Sequence, residues 1–531
     1  MKLRLVLVLI ILIFPISIFG QGQNPFDEQY KRITRDAIAD IYDGNVNNAI
    51  ERLELYLDVN PNDLESLYGL AVAYSVKNDI QKSINYMAEA IEKGLPPERF
   101  IAGPRSQLNN LTNTREFRQF MEGKYKGLIH GPMMGNIASD HASIWVRTSG
   151  EASVKIDIAS VLKPGLKQSF YGNSVTDSDY TSIIKLTGLE SFIEYIYDVY
   201  VDGNLLYENG SFTTYPKENE TANIRIGFGG GAGYTPWHER MWDTLATRSL
   251  DAFLLLGDNV YIDHPTRPPV QEYCYYRRQS RPEFHRFVSS VPVYAIWDDH
   301  DFTIDDGEGG PDIDYPEWKR LVWNTFKNNW NNPYYGGGEE HPGCWFDFSI
   351  ADVDFIMLDC RYYRENPQTV EQPSMLGYFQ KQWLKDRLLS SKGTFKVIGS
   401  SVPWATGTKP GSDDTWDGFP DEREEIFSFI EENQIEGVVL ISADRHRSDA
   451  WKIDRPNGYT MYDFMSSRLT NIHTHEILPG SLFGYNKTCT FGTLDFNTNL
   501  EDPKVVYSIF SINNELIHQL TLYKSQLTPK K

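Results

Sequence analysis

The sequence predicts a multidomain protein: an α-helical repeat, then a β-sandwich, then an α/β domain. Three observations carry that reading. Between about Asp36 and Leu95, a small/large apolar pattern recurs at an offset of 34 residues. From about Gly131 to Tyr215, short segments alternate apolar and polar residues, the period of strands with one buried face. Beyond Asn223, continuous apolar runs alternate with helical candidates, and three of those runs end in acidic motifs. A chain of 531 residues has room for two to four domains.

The first element is an export signal over residues 1–20. Met1-Lys2-Leu3-Arg4 is a cationic start, Leu5 to Phe19 is an apolar run too short and wrongly flanked to span a bilayer, and Gly20 is small enough for cleavage. The protein is therefore expected to be exported, periplasmic or secreted, with no transmembrane helix once the signal is removed. Residues 30–126 follow as helical repeats. Asn45 matches Asp79, Ala49 matches Ser83, Leu53 matches Met87, Tyr56 matches Ala90 and Pro61 matches Leu95. Each half is a turn and an amphipathic helix, and a partner helix is expected around Thr114–Lys124. Period and residue order resemble tetratricopeptide repeats. Such helices serve either as a docking surface for a protein partner or as a spacer packed on the next domain.

Residues 128–216 are expected to form the sandwich. Ala142–Arg147, Val154–Ile158 and Tyr195–Val201 alternate, with turns at Asp202-Gly203-Asn204 and Glu208-Asn209-Gly210 between strands. This is the pattern of an antiparallel sandwich of immunoglobulin or fibronectin type, without a catalytic constellation. Residues 222–526 form the α/β domain. Its buried strands are expected at Ile224–Phe228, Phe253–Leu256, Val293–Ile296, Phe355–Leu358, Phe395–Ile398 and Val438–Ile441. Helices are expected near Glu239–Arg248 and Ser374–Leu389, and the insertions Asp305–Tyr315 and Tyr334–Gly343 as loops around a site.

Composition narrows the function. A formal net charge of -21 argues against nucleic acid as a stable partner, since its phosphates need a basic patch. None of Cys274, Cys344, Cys360 and Cys489 forms a Cys-x-x-Cys pair, which argues against a zinc knuckle. Export leaves both disulfides and buried free thiols open.

Chemistry concentrates in the three motifs that follow strands: Gly257-Asp258-Asn259-Val260-Tyr261, Trp297-Asp298-Asp299-His300-Asp301 and Ala443-Asp444-Arg445-His446. Ligands and metals gather at the carboxyl ends of parallel strands, and carboxylates with imidazoles there have the composition of a hydrolytic metal site. Asp258 suits a bridging carboxylate because it leaves a strand at a glycine turn. Tyr261 can reach the same ion, and a phenolate ligand favours a strong Lewis acid such as ferric iron. Asp299 and Asp444 offer hard oxygen donors suited to calcium, magnesium or manganese. His446 shares a face with Asp444 in an extended segment. His300 is placed to protonate a leaving alkoxide, with Asp301 orienting its imidazole. Arg278, Arg281, Arg361 and Arg364 are candidates to clamp a phosphate, Arg361 foremost. His473-x-His475 puts two imidazoles on one side of a strand, with no obvious third ligand.

These motifs resemble those of the calcineurin-like metallophosphoesterases, and their replacements resemble the PhoD-type alkaline phosphatases and phosphodiesterases. Tyr261 in the second motif, Trp297-Asp298-Asp299-His300 in the third and Asp444-x-His446 in the last carry the likeness, with Leu358–Arg364 and the sandwich residues Gly131-Pro132 and Ile144–Thr148. The resemblance implies a four-layer α/β/β/α catalytic domain and hydrolysis of phosphate mono- or diesters by a metal-bound hydroxide. It implies iron and calcium as cofactors, with Asp258 bridging, Tyr261 and His446 on iron, and Asp299 and Asp444 on the second metal. Asp305 or Asp306 can replace Asp299.

One position departs from that family. A Cys ligand is usual after the first strand, and this chain has Gly231 in Phe228-Gly229-Gly230-Gly231. His238 or water would have to compensate, or the metal would differ. The loss motivates a second reading, a catalytically impaired phosphatase-fold binding or scaffold protein. A third, a lactonase or other metal-dependent ester hydrolase, shares the site chemistry.

Overall fold

The computed structural model describes residues 25–529, with side chains from Tyr30 onward, so the expected signal peptide lies outside the described residues. Seven helices open the described residues: α1 (Pro25–Tyr42), α2 (Val46–Val59), α3 (Leu64–Val76), α4 (Ile80–Glu92), α5 (Glu98–Ala102), α6 (Arg105–Thr112) and α7 (Arg115–Met121). The 34-residue offset has a structural counterpart. α2 starts after Asn45 and α4 after Asp79, and Ala49, Ser83, Leu53 and Met87 are all fully buried. Spacing by four residues keeps each matched pair on one helix face. Asp63 and Asp79 cap α3 and α4 by accepting the N–H groups of Ser66 and Lys82.

Seven strands follow: β1 (Leu128–Gly135), β2 (His141–Thr148), β3 (Ala152–Ser160), β4 (Gln168–Ser174), β5 (Thr181–Thr187), β6 (Glu194–Val201) and β7 (Asn204–Thr213). They form two antiparallel sheets, ordered β1-β2-β5 and β4-β3-β6-β7. Along β6 the buried residues are Tyr195, Tyr197, Val199 and Val201, every second position. Asp202 and Gly203 join β6 to β7 with φ of 48° and 79°, the left-handed pair of a two-residue hairpin turn.

The last region holds β8 (Asn223–Gly229), β9 (Ala252–Leu256), β10 (Val293–Ile296), β11 (Phe346–Ile350), β12 (Val353–Met357), β13 (Phe395–Gly399), β14 (Val438–Ser442), β15 (Ser448–Ile453), β16 (Met461–Ser466), β17 (Phe483–Tyr485), β18 (Thr490–Asn497), β19 (Lys504–Ser511) and β20 (Leu516–Tyr523). One sheet is ordered β10-β9-β8-β18-β19-β20 and the other β11-β12-β13-β14-β16-β15-β17. Their parallel cores are β10/β9/β8 and β12/β13/β14/β16. Past the ends of β8 and β16 the two sheets meet in a parallel bridge between Gly230 and Ser467. The carboxyl ends of both parallel sets therefore open onto one region, and the three acidic motifs lie there.

Helices α8 (Arg240–Ala246), α9 (Pro268–Gln279), α10 (Pro282–Val288), α11 (Asp299–Phe302), α12 (Trp318–Asn329), α13 (Gly377–Ser390) and α14 (Pro420–Glu432) complete the region. The repeat helices are fastened to it through α9. Tyr273 donates to Glu65 Oε2 at 2.8 Å, Arg99 pairs with the same carboxylate at 2.8 Å, and Arg277 donates to the Lys31 carbonyl at 3.2 Å. Buried ionic groups of this kind are costly to break singly, because each removal strands a charge. All four cysteines are buried and unpaired, which settles the thiol question left open by composition. A cavity of about 450 Å³ lined by Phe212, Tyr215, Ile224 and Pro292 sits between the sandwich and β8, and none of the motif residues lines it.

Candidate metal centre

Each motif turns sharply as it leaves its strand. Gly257 has φ of 101°, and a Cβ there would lie 2.5 Å from Cβ of Asp298, so only glycine fits between the first two motifs. Asp258, Tyr261, Asp444 and His446 all adopt left-handed backbone, with φ between 45° and 64°. Such conformations cost roughly 1–2 kcal/mol per non-glycine residue and cluster where side chains must be aimed. Asp301 holds one of these turns in place. It accepts the N–H groups of Asn259 and Val260, both at 2.9 Å. This corrects the role expected for Asp301: it shapes the Asp258 loop, and the His300 imidazole is oriented by Asp263, whose Oδ1 pairs with Nδ1.

Three donor atoms converge across two motifs. Tyr261 Oη lies 2.8 Å from Asp258 Oδ2 and 2.8 Å from His446 Nε2, and the last two are 3.6 Å apart. Asn471 donates Nδ2 to Tyr261 Oη at 2.7 Å. On the ring face of Tyr261 lies Lys31 of α1, with Nζ 3.8 Å from the centroid and 3.3 Å from Asn471 Oδ1. Arg35, one turn further along α1, donates to the Tyr261 carbonyl at 3.2 Å and pairs with Asp263.

Beside this cluster stand two overlapping groups of ligand-type atoms, Asp258 with Asp299 and His300, and Asp299 with Asp305 and Asp306. Asp299 thus lies in both groups, and the two loop acids stand beside it. Asp444 stands apart from both groups, 4.0 Å from Lys409 Nζ and 3.6 Å from Arg445. Lys409 also pairs with Asp306 at 2.5 Å and with Asp414 at 2.8 Å.

Arg361 is not placed as a phosphate clamp. It is fully buried, donates Nε to Asp298 at 2.5 Å and holds Asp414 with both terminal nitrogens at 2.6 and 3.2 Å. Its donors are consumed by carboxylates because Asp298 and Asp414 have no solvent to neutralise them. Arg364 joins the same Asp414, and Arg278 is buried against Glu239.

The electrostatics favour a bound cation. Burial raises the Asp258 carboxyl far above the ordinary range; Asp299, Asp298 and Asp301 add to this, and His300 opposes it. Burial likewise lifts Asp298 to about 7 despite Arg361, and Asp301 to about 6 despite its backbone donors. His300 rises to about 10, because Asp299, Asp258 and Asp263 outweigh the burial that would lower it. Burial takes His446 well below its usual value, leaving a neutral imidazole with a free lone pair. Asp258 Oδ1, Asp444 Oδ2 and His446 Nδ1 are buried without a hydrogen-bond partner. Unpaired buried acceptors of this kind cost roughly 1–3 kcal/mol each, and a cation satisfies them. The donor set of carboxylates, phenol and imidazole therefore fits metal ions.

Gly231 leaves no room for the missing side chain. Its φ is 67°, and a Cβ would lie 2.9 Å from both the Arg468 nitrogen and Ser467 Oγ. His238 does not compensate, since its Nδ1 faces the Thr470 carbonyl at 3.0 Å and Cys489 Sγ at 3.3 Å. Lys31, Arg35, Asp263, Lys409, Asp414 and Asn471 went unread in the sequence. Asp263, two residues past Tyr261 in the same motif, carried the only local signal.

Residues 227–482 match the PhoD-like phosphatase family, and residues 125–218 match a domain of unknown function, DUF7800. Alkaline phosphatase D of Bacillus subtilis (strain 168) is 33% identical over 114 residues, which are 18% of this chain and 20% of that protein. The solved structure of PhoD aligns over 76% of this chain and 91% of its own, with a TM-score of 0.61 and 17% identity. Purple acid phosphatase PPD1 from yellow lupin (Lupinus luteus) aligns over 74% of each chain, with a TM-score of 0.56 and 12% identity. The two structural likenesses show a shared fold.

Proposed function

We propose that the PhoD-like phosphatase domain carried by residues 227–482 makes this protein a metal-dependent phosphoesterase that hydrolyses phosphate mono- or diesters. The observation that carries the reading is the meeting of Asp258 Oδ2, Tyr261 Oη and His446 Nε2 within 2.8–3.6 Å, at the shared mouth of two parallel strand sets. Asp258, Tyr261 and His446 would hold one ion; Asp299, with Asp305 and Asp306, would hold a second. Bound there, the cations would polarise the phosphoryl oxygens and generate the nucleophile. Hard oxygen ligands and a phenolate suit iron and calcium, as the family resemblance implies, whereas the absence of a thiolate at Gly231 leaves the first ion with a harder set.

The protein's own groups then divide the work. Asp263 fixes the His300 imidazole through Nδ1, so Nε2, 3.4 Å from Asp305 Oδ1, is the nitrogen that would hold a proton for the leaving oxygen. Lys409 offers an ammonium near Asp444 that can steady a phosphoryl oxygen. The impaired-scaffold reading has less support, because the candidate ligand atoms still converge without the Cys.

Three coarser expectations belong to the same proposal. The seven strands of residues 128–216 are an immunoglobulin- or fibronectin-type sandwich, and residues 222–526 a four-layer α/β/β/α domain, both supported by the sheet orders. The N-terminal pattern supports export. The helical repeats are of tetratricopeptide type by period, and their contacts with α9 support the spacer role over the docking one. Purified protein loaded with iron and calcium should hydrolyse p-nitrophenyl phosphate or bis-p-nitrophenyl phosphate. Asp258→Asn and His446→Ala should each reduce kcat at least a hundredfold while remaining folded by circular dichroism. Full activity in either variant would sink the reading.

A further inference from the structure

We propose that His446, His473 and His475 form a three-imidazole centre for a borderline divalent cation such as zinc. The His473-x-His475 pair lacked a third ligand in the sequence, and the fold supplies one from the end of β14. One ring nitrogen of each histidine lies within 4.8 Å of the others. The His446 ring is 5.3 Å from that of His473 and 5.6 Å from that of His475, and the last two are 4.7 Å apart and nearly perpendicular. The His473 ring is nearly perpendicular to the other two, whereas those of His446 and His475 are tilted by 29°. Zinc bound at about 2.0–2.1 Å would space its nitrogens about 3.4 Å apart. Reaching that spacing needs a small rotation of the exposed His473 side chain.

The loop that carries the pair is tied to His446. Thr474 donates Oγ1 to the His446 carbonyl at 3.0 Å, Asn486 donates to the His475 carbonyl at 2.9 Å, and Asn471 Oδ1 accepts the His473 N–H at 3.3 Å. The second observation is independent of the cluster: His446 is 6% exposed, and its Nδ1 is buried without a hydrogen-bond partner. A buried imidazole nitrogen without a hydrogen-bond partner is costly, and a bound metal ion would satisfy its lone pair. Arg445 and Lys409 both face Asp444, and Lys409 also pairs with Asp414.

Imidazole-only donation separates this centre from the carboxylate groups around Asp299, which select harder ions. His446 belongs to both sets, so occupancy of the three-imidazole centre bears on the Tyr261 cluster. The exposed face of His473 provides an entry path, and three protein ligands leave a fourth position open. The proposal stands on the three imidazoles and not on the phosphoesterase reading.

The test uses the full-length protein, stripped with a chelator and titrated with cobalt(II). A visible absorption band of low-coordinate cobalt is expected, with zinc displacing it. In the double variant His473→Ala/His475→Ala the band should vanish and zinc affinity should fall more than tenfold. Both side chains are at least partly exposed, so far-UV circular dichroism and Tm of the metal-free protein should not change. Asp299→Asn should keep the band while losing hydrolysis, which separates this centre from the phosphoesterase reading. The proposal is overturned if the wild-type protein gives no band, if the double variant keeps both band and zinc affinity, or if Asp299→Asn abolishes the band.

Discussion

Lys31 of the first helix lies over the ring of Tyr261, with Nζ 3.8 Å from its centroid, and hydrogen-bonds Asn471, which in turn donates to the Tyr261 hydroxyl. A helix outside the catalytic sheets thus closes one side of the Tyr261 cluster. Burial pulls the Lys31 ammonium down to about 7, with Arg32 adding to this and Asp258 and Asp263 opposing it, so the side chain carries its charge over the ring below neutrality. Lys31→Met keeps the volume and removes the charge. It is expected to lower kcat for aryl phosphate hydrolysis about tenfold with little change in Tm, measured by steady-state kinetics and thermal melting.

Gly231→Cys restores the residue type usual at that position in the resembling family, but not the geometry. The left-handed φ costs about 1–2 kcal/mol for any side chain, and the Cβ would press on Arg468 and Ser467 at 2.9 Å. The variant is expected to be destabilised by at least that amount in urea unfolding. With ferric iron it should show no new thiolate-to-iron charge-transfer band.

Arg361→Met leaves Asp298 and Asp414 buried without their guanidinium. Removing one partner of a buried ion pair typically costs about 3–5 kcal/mol. The expected result is loss of soluble protein or a large fall in Tm, rather than the rise in KM that a substrate clamp would give. Kinetics on whatever folds distinguishes the two.

His300 and Asp263 set opposite pH limits on the metal-free protein. The raised His300 contributes stability that is complete below about pH 6.5 and lost as pH rises through about 10. The Asp263 carboxyl is held below its usual range, because His300 and Arg35 outweigh burial, so its contribution is present above about pH 3.9 and lost as pH falls further. Asp263→Asn is expected to cost about 1.5–3 kcal/mol at pH 7. The high-pH loss seen in the wild type should shrink in the same variant, read from Tm between pH 5 and 10.

Metal affinity should rise with pH. Burial and neighbouring acids hold the Asp258 carboxyl well above its ordinary value, so a cation must displace a proton to bind. Calorimetric titration in buffers of different ionisation enthalpy should detect proton release near neutrality, falling as pH increases. An unchanged proton count in Asp258→Asn would contradict this.

Much of the fold was legible because burial leaves a period in the sequence. The six expected strands fall on β8, β9, β10, β12, β13 and β14, each a short apolar run covered on both faces. Local motifs likewise revealed Asp258, Tyr261, Asp299 and His446, since a strand end fixes where its next residues go. Partners brought in by tertiary packing were not legible. Lys31 and Arg35 sit on an amphipathic helix whose pattern says only which face is buried, and Asn471 lies in a loop without periodicity. Arg361 misled for the same reason: an arginine near a site reads identically whether it faces substrate or two buried aspartates.

The seat of Lys31 also bears on how such a chain can be rearranged. A boundary near residue 126 is natural for cutting by sequence, yet α1 supplies both the cation over Tyr261 and, through Arg35, a partner for Asp263. Grafting different N-terminal helices onto the two large sheets would exchange part of the proposed metal centre with them. The inherited unit is therefore the helical segment together with the domain it covers, and a transplant that ignores this would carry a complete set of motifs and an incomplete site.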